Sequence, residues 1–247
     1  MTIDNVTIAV LLIVFISTLV RTVFGFGNAL VAMPLLAMIG LGMRTATPLV
    51  ALLSFVLGVA LLVTNWKNVD VKSAWRLLLG TVPGIPIGTI LLKGDYQRIG
   101  EIALALIIIG FSGYSLLKPK LIEPIKEWMA YPFGFLAGIL GGAYNSNGPP
   151  VIIYGTLHRW LPDEFRATLQ GYFLPSSVII AAGHGLGGLW TSEVCHYFFL
   201  SLPLTLLTIW IGGRLQHFIP PGHFDHWIHI MLIMIGGMLL VKALSSL

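Results

Sequence analysis

Charge is what this sequence has least of. Only 10% of its 247 residues are Asp, Glu, Lys or Arg, against roughly 25% in a soluble domain. The longest charged stretch runs only from Lys118 to Glu127, which leaves no room for a polar globular domain. Hydrophobic residues make up 56% and the mean hydropathy is +0.90, so the chain reads as an integral membrane protein. Cysteine is nearly absent. Cys195 stands alone, which excludes an intramolecular disulfide and any cysteine-based metal site. Acidic residues are missing from the middle of every clear apolar run: Glu101, Glu127, Asp163, Glu164 and Glu193 sit near run ends or in linkers. The usual carboxylate relay of a proton pump is therefore lacking. No Gly-x4-Gly-Lys-Ser/Thr stretch offers to hold ATP, and no zinc motif or nucleophile–base pair has recognisable spacing. Neither an enzyme nor a bound cofactor or metal is expected. A net charge of +4 is too small and scattered for a nucleic-acid partner. Asp4 replaces the basic start of a signal peptide, and the run from Val6 to Val20 continues past any cleavage site. It is expected to be the first membrane helix.

Long apolar runs fill the space that charge leaves. They span approximately 6–24, 28–40, 44–65, 73–92, 99–117, 128–141, 149–160, 166–184, 194–215 and 225–244. A full crossing needs roughly 20 residues, so 28–40, 128–141 and 149–160 are short. They are tilted, paired as half-helices or re-entrant. The expectation is an all-α polytopic membrane protein with 8–10 transmembrane segments. Five runs fall in a first repeat at 1–117, and five in a second at 128–247, with a polar linker at 118–127. Arg44-Thr45-Ala46 opens one run and Arg166-Ala167-Thr168 its counterpart. Ser54 falls opposite Ser176, Gly88 opposite Gly212 and Gly110 opposite Gly236. Because five is odd, halves that cross throughout enter from opposite sides, as an inverted repeat. Lys67, Lys72, Arg76, Lys118, Lys120, Lys126, Arg159 and Arg166 fall on odd-numbered loops or their flanks. Arg44, Lys93, Arg98 and Lys242 fall on even-numbered loops and the tail. That bias puts the odd loops inside and both termini outside, in what is expected to be a bacterial inner (plasma) membrane.

Each half also holds a run interrupted by glycine. The first reads Phe24-Gly25-Phe26-Gly27-Asn28-Ala29 and, four residues on, Pro34-Leu35-Leu36. The second reads Gly141-Gly142-Ala143-Tyr144-Asn145 and, four residues on, Pro150-Val151-Ile152. Broken helices leave backbone groups without partners, which lipid tolerates only where protein covers them or they line a wet cavity. Matching breaks in two halves are the best sequence pointer to a transporter's binding site. A further set, Pro83-Gly84-Ile85-Pro86 with Pro203 and Gly212-Gly213, reads as a packing kink or a hinge. The stretches Gly183 to Gly188 and Gly236-Gly237 permit close helix contacts within or between subunits, so a homo-oligomer stays open.

With these motifs the chain resembles the TauE/SafE sulfite-exporter family, whose half-repeat carries Gly-x-Gly-Gly-Gly, four residues, then Pro-x-Leu. Gly25, Gly27, Pro34 and Leu36 match, with Asn28 and Ala29 in place of glycines. Gly141 and Pro150 keep the spacing in the second half, where Ala143, Tyr144 and Asn145 replace the glycine triplet and Ile152 the leucine. The Arg44 and Arg166 helix starts also look like the family's. The resemblance covers essentially the whole chain. It implies transport of small anions, typically sulfite, sulfonates and related organic acids.

Glycines let the backbone turn sharply and approach a ligand. Ser146 or Asn147 can cap the helix after the second break, and Pro149 or Pro150 suits its first turn. Free N–H groups at such an end, with roughly half a positive charge, can hold an oxyanion. Arg21 is the one cation well inside an apolar run. It either forks onto two anionic oxygens or snorkels and ties open carbonyls. The candidate substrate contacts are Arg21, Gly25, Gly27, Asn28, Gly142, Asn145, Ser146, Asn147, Gly148 and Gln170. Phe24, Phe26, Pro34, Tyr144, Pro149 and Pro150 are candidate gates or hinges. His184 reads as a polar group at the membrane surface. His217, His223, His226 and His229 read as structural or interfacial rather than metal-binding. The expected function is a secondary transporter in the lipid bilayer that exports a small anion by alternating access about the two breaks. An anion channel with the same breaks as its filter is the alternative. A membrane-embedded enzyme using His184 and His158 is a remote one.

Overall fold

The computed structural model describes residues 5–65, 68–93, 97–117 and 125–215, with residues 230, 233, 234, 236, 237, 240, 241 and 244. The expected tenth run lies outside the described residues except for those isolated positions. His217, His223, His226, His229, most of the 118–127 linker and the side chain of Phe24 also lie outside them.

The fold is all-α, with no strand among the described residues. Helices run α1 Asn5–Phe24, α2 Asn28–Met38, α3 Met43–Asn65, α4 Val71–Lys93 and α5 Gln97–Leu117. They continue as α6 Ala130–Tyr144, α7 Gly148–His158, α8 Pro162–Leu186 and α9 Ser192–Leu215, with a 3₁₀ turn at Glu127–Met129 before α6. These bounds follow the apolar runs within a few residues, because lipid requires each backbone polar group to be paired inside its own helix. Among the described helices, α1, α3, α4 and α9 are long and apolar enough to cross a membrane. The protein is a polytopic membrane protein. One start differs: α8 begins at Pro162 rather than at Arg166, and Glu164 accepts a hydrogen bond from the Leu161 N–H at 3.3 Å.

The Pro83-Gly84-Ile85-Pro86 stretch does not interrupt α4, which runs on to Lys93. Its prolines face outward and its glycines inward. Gly80, Gly84 and Gly88 of α4 interlock with Gly134, Gly138 and Gly142 of α6 so closely that a Cβ on any of the six would collide with a backbone carbonyl oxygen of the other helix. Glycine at every fourth position lets two backbones touch, the close approach that holds helices together where lipid gives no hydrophobic drive. Residue numbers rise together along the ladder, so α4 and α6 run in parallel. Thr81 Oγ1 reaches Gly134 O at 3.0 Å and the Tyr172 hydroxyl at 2.9 Å, which joins α8 to the pair. A looser parallel contact joins α1 to α9: the Thr208 hydroxyl donates to Thr18 Oγ1 at 3.0 Å, and Gly212 lies against Thr22.

These contacts fix which end of each helix lies on which face. The Thr168 hydroxyl oxygen accepts from the Asp70 N–H at 2.9 Å, so α8 begins beside the start of α4. Arg44 bonds the Lys93 carbonyl, and the Thr45 hydroxyl donates to Glu193 at 3.0 Å, so α3 and α9 begin beside the end of α4. The first face (where α4 begins) therefore carries the starts of α6 and α8. The second carries the starts of α1, α3 and α9. Helix α2 ends just before α3, so α1 and α2 form a hairpin that enters from the second face and returns to it. Helix α7 ends where the Leu157 carbonyl accepts from the Ile125 N–H at 3.2 Å, so α6 and α7 form a hairpin from the first face. Both hairpins point inward, and α3 and α8 pack together between them. Lys72, Arg76, Lys126, Arg159, Arg166 and Arg214 lie toward the first face, while Arg44 and Lys93 lie toward the second.

Two outcomes follow from these contacts. Gly138→Ala is expected to cost more than the roughly 1–3 kcal/mol of ordinary overpacking, because the new methyl meets the Thr81 carbonyl group rather than a movable side chain. Gly110→Ala, with no described atom within 4 Å of the added methyl, is expected to leave the melting temperature in detergent unchanged or slightly raised. At the first face, burial pushes the Asp70 carboxyl up, but bonds from Ser73, one a backbone N–H at 3.1 Å, together with Trp160 and the nearby His158, outweigh this and hold it below its ordinary 3.8. A lowered value stabilises the fold above the unfolded-state value, and that stabilisation is lost as pH falls through the folded one. Asp70→Asn should therefore melt lower than wild type at neutral pH and lose less stability below about pH 3.8 in acid melts.

Candidate functional site

The two hairpin tips meet inside the helix bundle, and a cavity lies between them. Arg21 of α1, Phe26, Gly27 and the first turn of α2 line one side, with Ser54 of α3, the Asn145–Gly148 tip and Phe173 of α8 around the rest. About 20 Å³ is open to the centre of a water-sized sphere, room for little more than a water molecule.

The first tip bends at Gly25 (φ 83°) and Gly27 (φ 100°), the left-handed region that glycine enters without steric cost. Gly27 precedes α2 and supplies no side-chain cap. The first-turn N–H groups of Asn28, Ala29 and Leu30 are thus left without an intrahelical partner. The second tip bends at Asn145 (φ 51°), whose N–H donates to Gly141 O at 2.9 Å, while the Ser146 N–H donates to Leu140 O at 3.1 Å. Asparagine is one of the few side chains that accept this conformation.

The expected cap of α7 by Ser146 or Asn147 does not form. A capping oxygen accepts from the second or third helical N–H, and here those positions are Pro149 and Pro150, which have none. The Asn147 amide donates instead to Ser176 Oγ at 3.0 Å, and the Ser146 hydroxyl donates to Tyr144 O at 3.2 Å. The donor-rich end at this cavity is therefore α2, not α7.

Polar side chains hold the tips in register. Arg21 Nη1 donates to Asn28 Oδ1 at 3.2 Å, which turns the Asn28 Nδ2 toward Ser54 Oγ at 2.7 Å. Asn145 Nδ2 donates to the same oxygen at 2.8 Å, and the Ser54 hydroxyl donates to Val50 O at 2.7 Å. One buried serine oxygen thus accepts from both tips and gives its only proton to its own helix, so its bonding capacity is full. The backbones of the tips are held by the opposite long helices. Gln170 Nε2 on α8 donates to Gly25 O at 2.6 Å, and the Thr47 hydroxyl on α3 donates to Ala143 O at 3.3 Å.

Arg21 is only 4% exposed. Its guanidinium carbon lies 5.4 Å from the Phe173 ring centroid. Its Nε and Nη2 have no partner among the described residues, and no carboxylate lines the cavity. These two groups form one side of the guanidinium fork, the geometry that binds two oxygens of one anion.

The structure brings Arg21, Phe26, Gly27, Asn28, Asn145, Ser146, Asn147 and Gly148 to the cavity. Gly25 and Gln170 stand outside its lining, bonded to each other. Gly142 is elsewhere: it belongs to the α4–α6 ladder, and its carbonyl lies 2.7 Å from His184 Nε2. His184 is fully buried rather than at a surface, and its bond to a carbonyl places the ring proton on Nε2. Pro34 lies buried inside α2, Tyr144 is half-buried at the end of α6, and Pro149 and Pro150 are buried at the start of α7. Ser54 and Phe173 were not among the expected contacts. Ser54 did carry a signal, a hydroxyl in an apolar run matched by Ser176 in the other half; Phe173 carried none.

The family model for the sulfite exporter TauE/SafE matches residues 10–239. The chain belongs to the TauE/SafE family. A probable sulfite/organosulfonate exporter TauE of Cupriavidus necator is 23% identical over 236 residues, covering 93% of this chain and 91% of that protein. A probable inner membrane transporter protein TsaS of Comamonas testosteroni is 25% identical over 170 residues, covering 66% and 70%. No solved structure matches this TauE/SafE chain.

Ser54→Ala removes the acceptor for two buried amides, each left unpaired at roughly 1–3 kcal/mol. A clear fall in melting temperature is expected. Ser177→Ala, whose hydroxyl donates only to Leu174 O of its own helix at 2.7 Å, should change it little.

Proposed function

We propose that this protein is a secondary transporter that exports a small sulfur oxyanion, sulfite or a sulfonate, by alternating access about the two hairpin tips. The observation that carries this reading is Arg21, a buried cation whose free N–H groups line the cavity where the tips meet. Membrane-embedded charge is functional by default, and among the described residues this one makes a single side-chain bond, donated to a neutral amide oxygen. The first-turn residues Asn28, Ala29 and Leu30 of α2 line the same space, and an anion there is also favoured by the helix dipole. The names of the two relatives, a probable exporter and an inner membrane transporter, agree in class.

The packing supports two inverted repeats, 1–117 and 128–247 about the 118–127 linker. Exchanging α1 with α6, α3 with α8 and α4 with α9 carries each major contact into another: α4 on α6 becomes α9 on α1, and α3 on α9 becomes α8 on α4. The excess of Lys and Arg toward the first face makes it the cytoplasmic one, in an inner membrane. The cavity is smaller than a sulfonate, so loading requires one hairpin to move relative to the opposite long helix. An anion leaving a negative-inside cell is driven outward by roughly 2.3 kcal/mol per charge per 100 mV, with no coupled ion.

Purified protein in proteoliposomes is expected to show saturable sulfite counterflow. Arg21→Gln should lower it at least about tenfold, the scale of a lost charge-assisted bond pair. Single-channel currents without counterflow would replace the transporter by a channel, and full flux in Arg21→Gln would remove the cavity from the pathway.

A further inference from the structure

Charge balance in the cavity says more about the substrate than its shape does. Among the described lining residues Arg21 is the one charged group, and neither α1, α2, α3, the α6–α7 tip nor α8 contributes Asp, Glu, His or Lys to that lining. Among the described residues the one buried imidazole, His184 on α8, is bonded to the Gly142 carbonyl outside it. Among the described residues Arg21 has one neutral amide partner and no counter-ion, with the Phe173 ring across it. A buried charge without a counter-ion is costly, and one negative charge cancels it. The helix ends add little to a second. Helix α2 brings at most about half a charge, and α7 has lost its second and third donors to Pro149 and Pro150. A dianion here would exceed the Arg21 charge by one unit, and the α2 end offsets at most about half of that, so about half a negative charge or more would stay unmatched out of water, at a cost.

We infer that this cavity takes a singly charged oxyanion, bisulfite or a monosulfonate, in preference to a dianion of the same geometry. This deepens the transport reading and rests on it. The oxyanion head would sit on Arg21 Nε and Nη2 and the α2 N–H groups. The apolar walls given by Phe26, Leu30 and Phe173 are left for a sulfonate's organic part. Sulfite changes from a monoanion to a dianion near neutral pH, so its affinity follows its own titration.

The test uses the purified full chain and reads binding by calorimetry and thermal shift. The probes are methanesulfonate (a monoanion throughout), sulfate (a dianion throughout) and sulfite from mildly acidic to mildly alkaline pH. Methanesulfonate is expected to bind at least about tenfold tighter than sulfate, with no pH dependence, and sulfite to weaken as pH rises. Arg21→Gln should abolish the methanesulfonate response while Arg21→Lys keeps part of it. Equal binding of sulfate and methanesulfonate, or sulfite binding that tightens with pH, would overturn the inference and leave the transport reading standing. Methanesulfonate affinity that falls in step with sulfite would assign the titration to the protein and overturn it likewise. If no oxyanion binds at any pH, the substrate reading of the cavity falls with it.

Discussion

The direct touching of two backbones, α4 on α6, is the constraint on which the site depends. Six glycines make it possible, and the Thr81 hydroxyl ties the two backbones through Gly134 O. Dispersion between closely placed atoms is weak singly and large in sum, and within lipid it is the main attraction available between apolar helices. The contact crosses from the first half of the chain to the second, so it sets where the second hairpin ends. That position brings the Asn145 amide to Ser54, on which Asn28 also converges. Without the ladder, the two tips would have no fixed separation and the cavity no defined walls.

The ladder also distinguishes the two hairpins. The second is clamped along its length by glycine-to-backbone contact. The first leans on α9 through hydroxyls and one glycine, Gly212 against Thr22. Their tips differ as well. The first offers unpaired N–H groups and a buried guanidinium, whereas the second offers amides already committed to serines and a helix start without its usual donors. Two hairpins thus surround one chemically one-sided pocket. The residues that replace the family's glycines, Asn28 and Asn145 among them, build much of that side-chain framework.

Helix positions were legible because apolar continuity is a direct demand of lipid on sequence. The glycine ladder was not. Gly84 stands between two prolines and looks like a helix breaker, and nothing in one segment reveals that its glycine face meets another fifty residues on. Hydropathy has no sign along the chain axis, so short runs such as 28–40 stayed open between tilted, paired and re-entrant. At the site, Arg21, Asn28, Asn145 and Asn147 were visible as polar groups within breaks. Ser54 and Phe173 join them only through tertiary packing. His184 looked superficial because it ends an apolar run, yet the close approach of α4, α6 and α8 covers it. Gly142 looked like a ligand-facing glycine for the same reason that it is a packing one: both roles need a bare backbone.

The tie from Gln170 to the Gly25 carbonyl has a consequence in time. Its two ends are 145 residues apart, so during synthesis the first hairpin leaves the ribosome long before its partner exists. Until α8 arrives, that carbonyl and the Arg21 charge have to be sheltered by the insertion machinery or by water drawn into the bilayer. Correct assembly of the amino-terminal arm is thereby made conditional on synthesis of the carboxy-terminal half, and a chain truncated before Gln170 would be an orphan for membrane quality control.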